Sequence, residues 1–405
     1  MEIRFPLLLD GAMGTELQKR GFTGDIPSEK WAIDHPDDVI DIQRKYIDAG
    51  SEVIYAPTFS ANRAKLEASH IFGQVEEYNK TLVEISREAA QGRALVAGDM
   101  SPIGAMIYPL GDARFEELVE IYTEQAAALE KAGVDLFVLE TMTTLPEARA
   151  ALLAVKSVST KPVLVSFTCD ETGRTMTGTD VTAALQVIQG MGADLFGLNC
   201  SVGPDLMLEQ IRRLRSIARI PLAAKPNAGL PVTVDGKLVY PCQAAEFASY
   251  TVPFAEAGVE IFGGCCGTDA SHIRALADAL RGVPMRDPAP ENTDLLPCAT
   301  EKQAVFLPAD TAPGEVLACD EELEDALDEE EDRDAPVTTI DIRSREELSN
   351  FEDAQVMITK PLVIRCSDAG ILEKALRLYQ GRALYDGLLS EEELAPLVKK
   401  YGLII

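Results

Sequence analysis

The chain has 405 residues, 46% of them hydrophobic, enough to bury at least one sizeable core. Its formal net charge of −29 excludes a nucleic-acid binder, because phosphate recognition needs a basic surface. No apolar run approaches the roughly 20 residues of a membrane span, and Met1 to Asp10, with Glu2 and Arg4, does not read as a signal peptide. A cytoplasmic protein without membrane contact is therefore expected. The eight cysteines are scattered through a long chain, which suits metal ligands or core packing better than a disulfide framework.

In chain order, short apolar runs rich in Val, Leu, Ile and Phe predict buried parallel strands at 7–10, 52–57, 94–99, 135–140, 162–168, 195–200, 221–226 and 259–264. Amphipathic runs between them predict helices, among them 37–49, 115–132, 146–157, 181–191, 205–218, 242–257 and 270–280. A glycine that ends a helix and turns straight into a strand recurs at Gly50, Gly133, Gly192 and Gly258. Eight such alternations predict a (β/α)8 TIM barrel over 1–288; no GxGxxG follows the first strand, which counts against a doubly wound sheet.

Residues 289–335 are expected to form an acidic flexible linker, since 315–334 holds twelve Asp/Glu against one Arg. A small α/β domain is predicted over 336–405, with strands at 337–342, 355–358, 362–366 and 383–385 and helices at 345–351, 371–378 and 391–400.

In a barrel, chemistry belongs at the C-terminal strand ends. Polar residues stand there: Asp10, Thr58, Asp99, Glu140, Thr168, Asn199 with Cys200, Asn227, then Cys265 and Cys266. Adjacent cysteines do not readily form a disulfide with each other, but flanking glycines let the backbone bend so that both sulfurs face one ion. Cys200 ends strand six while Cys265 and Cys266 end strand eight. Alternate strands lie about 10 Å apart, so the three sulfurs can converge. Three cysteines with an open fourth position are the ligand set of a catalytic zinc. Cys169 sits near a strand end without a vicinal partner, and Cys242, Cys298, Cys319 and Cys366 read as packing or surface.

These residues resemble the zinc-dependent homocysteine S-methyltransferases. The likeness runs from Leu7 to Leu280 and is carried by Asp10-Gly11-Ala12-Met13-Gly14-Thr15, Pro57-Thr58-Phe59, Gly98-Asp99-Met100-Ser101-Pro102, Glu140-Thr141, Asn199-Cys200-Ser201, Lys225-Pro226-Asn227-Ala228-Gly229 and Gly264-Cys265-Cys266-Gly267. Gly-Cys-Cys-Gly-Thr and Lys-Pro-Asn-Ala-Gly-Leu-Pro look most like the homocysteine module of cobalamin-dependent methionine synthase. The resemblance implies a methyltransferase of methionine biosynthesis, with Zn2+ on Cys200, Cys265 and Cys266 and Asn227 beside the metal. It implies that Asp10 and Glu140 hold the homocysteine ammonium, and that Thr58 and the backbone of the turn starting Asp10-Gly11 hold its carboxylate.

Residues 362–386 resemble one strand–helix–strand piece of a pterin-binding barrel, too short to close a barrel of its own. That domain is read as a vestigial or docking module, with the methyl group arriving from methylcobalamin on a separate corrinoid protein. A small donor such as S-methylmethionine, another thiol acceptor, or a zinc-binding module without turnover are the alternatives.

Overall fold

The computed structural model describes residues 3–234, 237–285, 294–331 and 333–405; the expected boundary at 288–289 lies outside the described residues. Eight parallel strands form one sheet: β1 (Leu7–Leu8), β2 (Val53–Tyr55), β3 (Leu95–Met100), β4 (Leu136–Met142), β5 (Val163–Phe167), β6 (Leu195–Asn199), β7 (Leu222–Lys225) and β8 (Val259–Phe262). Their order, β1-β8-β7-β6-β5-β4-β3-β2, is that of a barrel with one seam.

No ladder joins β1 to β2. The seam is bridged by Glu52, whose N–H donates to the Leu8 carbonyl at 2.8 Å and whose side chain accepts from the Leu8 N–H at 3.0 Å. Alternate residues point inward and pack as one buried cluster, including Leu7 and Leu9, Val53 and Tyr55, Leu95 and Ala97, and Leu136 and Val138. This period of two is what a filled barrel interior requires.

The helices follow from local sequence. Pro36–Ala49 opens on Pro36 with Asp37 and Asp38 in its first turn, buries Val39, Ile42 and Tyr46, and ends at Gly50 with φ +121°. The helix expected over 242–257 is two short ones, Ala244–Ser249 and Thr251–Glu256. Pro253 has no N–H to bond back to the Ser249 carbonyl, so one continuous ladder cannot form.

The chain divides into two compact units: Met1–Gly104, Glu116–Met176 and Ala193–Ala289 in the first, Ala105–Phe115, Thr177–Gly192 and Pro290–Ile405 in the second. The second unit holds a hairpin (Leu295–Ala299 with Ala304–Pro308) and a parallel sheet of Val316–Ala318, Thr338–Asp341, Leu362–Arg365 and Leu384–Asp386. The expectation of a flexible linker is not met by the described residues of 289–335. Apolar residues set among the acids pack, with Leu317, Leu323 and Leu327 buried, and Leu323–Glu331 is a helix. Gln355–Met357, expected as part of a strand, is a short 3₁₀ turn that continues the helix Glu347–Ala354. No described helix is long and apolar enough to cross a membrane.

Candidate metal centre and its pocket

The sulfurs of Cys200, Cys265 and Cys266 lie within 4.8 Å of one another. Cys200 and Cys266 are 3.8 Å apart. Two thiolates on a tetrahedral zinc, each about 2.3 Å from the ion, are also separated by about 3.8 Å, so the donor set fits that metal in type and in spacing.

The backbone aims these sulfurs. Cys200 and Ser201 both adopt left-handed φ, +62° and +59°, as does Thr141 with +58°. Such conformations cost non-glycine residues about 1–3 kcal/mol each and persist where surroundings impose them. Cys200 N–H is held by the Lys225 carbonyl at 3.1 Å, Cys265 N–H by the Pro226 carbonyl at 2.9 Å, and the Cys266 carbonyl accepts from Ala228 N–H at 2.9 Å. The end of β7 thus clamps both cysteine turns. Gly264 and Gly267 leave no room for a Cβ, against Thr268 and the Tyr240 ring respectively.

Crowded thiols cannot all ionise without a cation. Hydrogen bonds from the Cys200 and Cys265 thiols pull Cys266 down to about 3, while Cys200 is pushed well up by its bonds with Cys265 and Cys266. A divalent ion removes that conflict. Asn199 stands behind the cluster: its Oδ1 accepts from Ser166 at 2.6 Å and Thr141 N–H at 3.0 Å, and its Nδ2 faces Cys265 Sγ at 3.9 Å.

The cysteines open onto a cavity of about 280 Å3, also lined by Asp10, Gly11, Glu29, Asp99, Glu140 and Lys225. Asp10 is buried, and its Oδ2 accepts from Tyr55 N–H at 2.8 Å. Burial raises its pKa to about 6 against the pull of Lys225. Burial also raises Glu140, again opposed by Lys225. Gly11 sits on the Tyr46 ring, where a Cβ has no space.

Thr58 and Asn227 stand behind the cavity wall rather than on it. The Thr58 hydroxyl donates to the Asp99 carbonyl at 2.8 Å and accepts from the Asp99 N–H at 3.0 Å. Asn227 is buried with its Oδ1 unpartnered among the described residues. Cys169, Cys242, Cys298, Cys319 and Cys366 are buried and lie apart from the cluster.

Sequence reasoning gave Lys225 no role. Its ammonium lies 3.2 Å from Asp10 Oδ1, 3.1 Å from Glu140 Oε1 and 3.6 Å from the centre of the Tyr55 ring. The signal was present: Leu-Ala-Ala-Lys225 ends a buried strand in a cation, and three other predicted strands end in carboxylates, at Asp10, Asp99 and Glu140. Glu29, on the helix Ser28–Asp34, was missed because it arrives from outside the barrel strands.

The Homocysteine S-methyltransferase family model matches residues 7–280. The methionine synthase of Mycobacterium leprae is 34% identical over 293 residues, 67% of this chain but 24% of that protein. The methionine synthase of Mycobacterium tuberculosis is 33% identical over 296 residues, covering 68% of this chain and 24% of that protein. This chain therefore spans about a quarter of the length of these curated relatives. Among solved structures, the apo form of the Escherichia coli homocysteine methyltransferase MmuM gives a TM-score of 0.55 at 25% identity, over 67% of this chain and 95% of that one. Its metallated form gives 0.56 at 24%, with the same coverage. The expectation of cobalamin dependence is overturned here, because this structural relative is cobalamin-independent. With the family model spanning the whole barrel and the three-thiol cluster at its mouth, the chain belongs to the homocysteine S-methyltransferase family.

Proposed function

We propose that this protein is a zinc-dependent homocysteine S-methyltransferase that takes its methyl group from a small cationic donor such as S-methylmethionine. The observation that carries the proposal is a three-thiol cluster opening onto a cavity whose wall bears four carboxyl groups, Asp10, Glu29, Asp99 and Glu140, against the one ammonium of Lys225. That balance suits a substrate ammonium together with a sulfonium.

Zn2+ held by Cys200, Cys265 and Cys266 would bind the homocysteine sulfur and remove its proton near neutral pH. The chain's own groups do the rest. Lys225 keeps Asp10 and Glu140 together at the cavity floor, where they receive the ammonium. The turn that begins Asp10-Gly11 faces the carboxylate. Thr58 acts through the Asp99 backbone that it bonds, and Asn227 would lie near the metal from behind the wall. In the transfer, the thiolate sulfur forms a bond to the methyl carbon as the carbon–sulfonium bond breaks, releasing a neutral thioether. No proton moves in that step, so no general base is needed.

The test is a donor panel on zinc-loaded protein, following methionine formation. Turnover with S-methylmethionine is expected; turnover with methylcobalamin alone, or no turnover with any donor offered, would overturn the proposal.

A further inference from the structure

Lys225 leaves one acid of the cavity wall unanswered. Asp10 and Glu140 share its ammonium, and Glu29 accepts from Ser60 N–H at 2.7 Å and from the Ser28 hydroxyl at 3.1 Å. Asp99 has no such partner: it is 5% exposed, lines the cavity, and its Oδ1 accepts no hydrogen bond among the described residues. A buried carboxyl without a partner is costly, and one that persists asks for a ligand.

The residue is held firmly. Its N–H and carbonyl are both engaged by Thr58, and its backbone lies in the β3–β4 ladder opposite Val138. Burial, then the charge of Glu140, hold its pKa well above the usual carboxylate range. Two acids at the ends of adjacent strands are thus short of one cation. Lys225 does not supply it, being 3.1 Å from Glu140 but without a hydrogen bond to Asp99 Oδ1.

We infer that Asp99 is a further substrate-contacting residue, whose carboxyl group accepts a hydrogen bond from the ammonium of the amino-acid thiol. The inference rests on the proposed homocysteine reading and deepens it: the ammonium received by Asp10 and Glu140 is shared with Asp99, while Lys225 fixes Asp10 and Glu140 in place. A thiol without an α-ammonium would leave Asp99 unpaired, so this residue selects amino-acid thiols over simple thiol acids.

The variant Asp99→Asn keeps the side chain's size and removes its ability to pair with an ammonium as a carboxylate. It is expected to raise the KM for homocysteine about ten- to a hundredfold, the range for losing a hydrogen bond to a charged group, with zinc content unchanged. The discriminating probe is 4-sulfanylbutanoate, which has the thiol and carboxylate of homocysteine but no ammonium. Its kcat/KM is expected to be low in the wild type and unchanged by Asp99→Asn. Calorimetric titration of zinc-loaded protein with either thiol reads the same contact without a methyl donor, and Asp99→Ser serves if the asparagine variant does not fold. Equal losses with both thiols, or an unchanged response to homocysteine, would overturn the assignment. Homocysteine binding by the wild type without turnover on any donor would sink the proposed function and leave this contact standing.

Discussion

At the scale of single residues, the pocket is a balance of buried charge. Removing one partner of such a network strands the others, at a cost of about 3–5 kcal/mol. Lys225→Met is accordingly expected to lower stability by about that amount in urea titrations, since Asp10 and Glu140 lose the cation they share. Asp10 supplies a pH test. Its folded-state pKa is raised from 3.8 to about 6, so its contribution to stability is fully present below pH 3.8 and is lost as the pH rises through about 6. Metal-free wild-type protein should therefore lose about 3 kcal/mol across that window from this group. Asp10→Asn should flatten that part of the profile. Cys265→Ala is expected to lose most of the bound zinc by elemental analysis, whereas Glu140→Ala should keep the metal and raise the KM for homocysteine.

At the scale of elements, several strand ends carry turns that only certain residues allow. Gly267 has φ +81° and the Tyr240 ring against it, so Gly267→Ala is expected to weaken zinc binding in a chelator competition by displacing the neighbouring Cys266. How far the sequence could be read also shows at this scale. The eight buried strands were legible because parallel strands covered on both faces are nearly all apolar, and the cysteines because a vicinal pair beside glycines has few other uses. The left-handed turns at Thr141, Cys200 and Ser201 were not, since no glycine marks them. Nor was Lys225, whose meaning depends on carboxylates 215 and 85 residues away in sequence. The segment 315–334 misled because its net charge masks a few well-spaced leucines that pack. Such spacing is a weaker signal than twelve acids in a stretch of twenty.

For the chain as a whole, the second unit does more than trail behind the barrel sequence. It takes in the helix Val181–Gly190, whose Gln186 donates to the Pro297 carbonyl at 2.7 Å, and Asp180 N–H bonds the Lys302 carbonyl at 3.0 Å. Truncation after Met285 strips the hairpin from that helix and is expected to lower Tm by several degrees while zinc stoichiometry holds. An unchanged Tm would show that those contacts contribute nothing.

The join between β1 and β2 has a consequence of its own. Seven neighbouring strand pairs are held by ladders, but this one depends on a few bonds that involve side chains or a strand end: the two of Glu52, Ser51 to the Leu9 carbonyl and Tyr55 N–H to Asp10. Breathing motions begin where the fewest bonds must part. The Leu8 amide, held by the Glu52 side chain, should thus exchange with deuterium sooner than those of β4 or β5, and Glu52→Ala should speed it further. Because Asp10 and Gly11 follow β1 after Leu9 alone, a fold that loosens there first would open the cavity at the wall those two residues form.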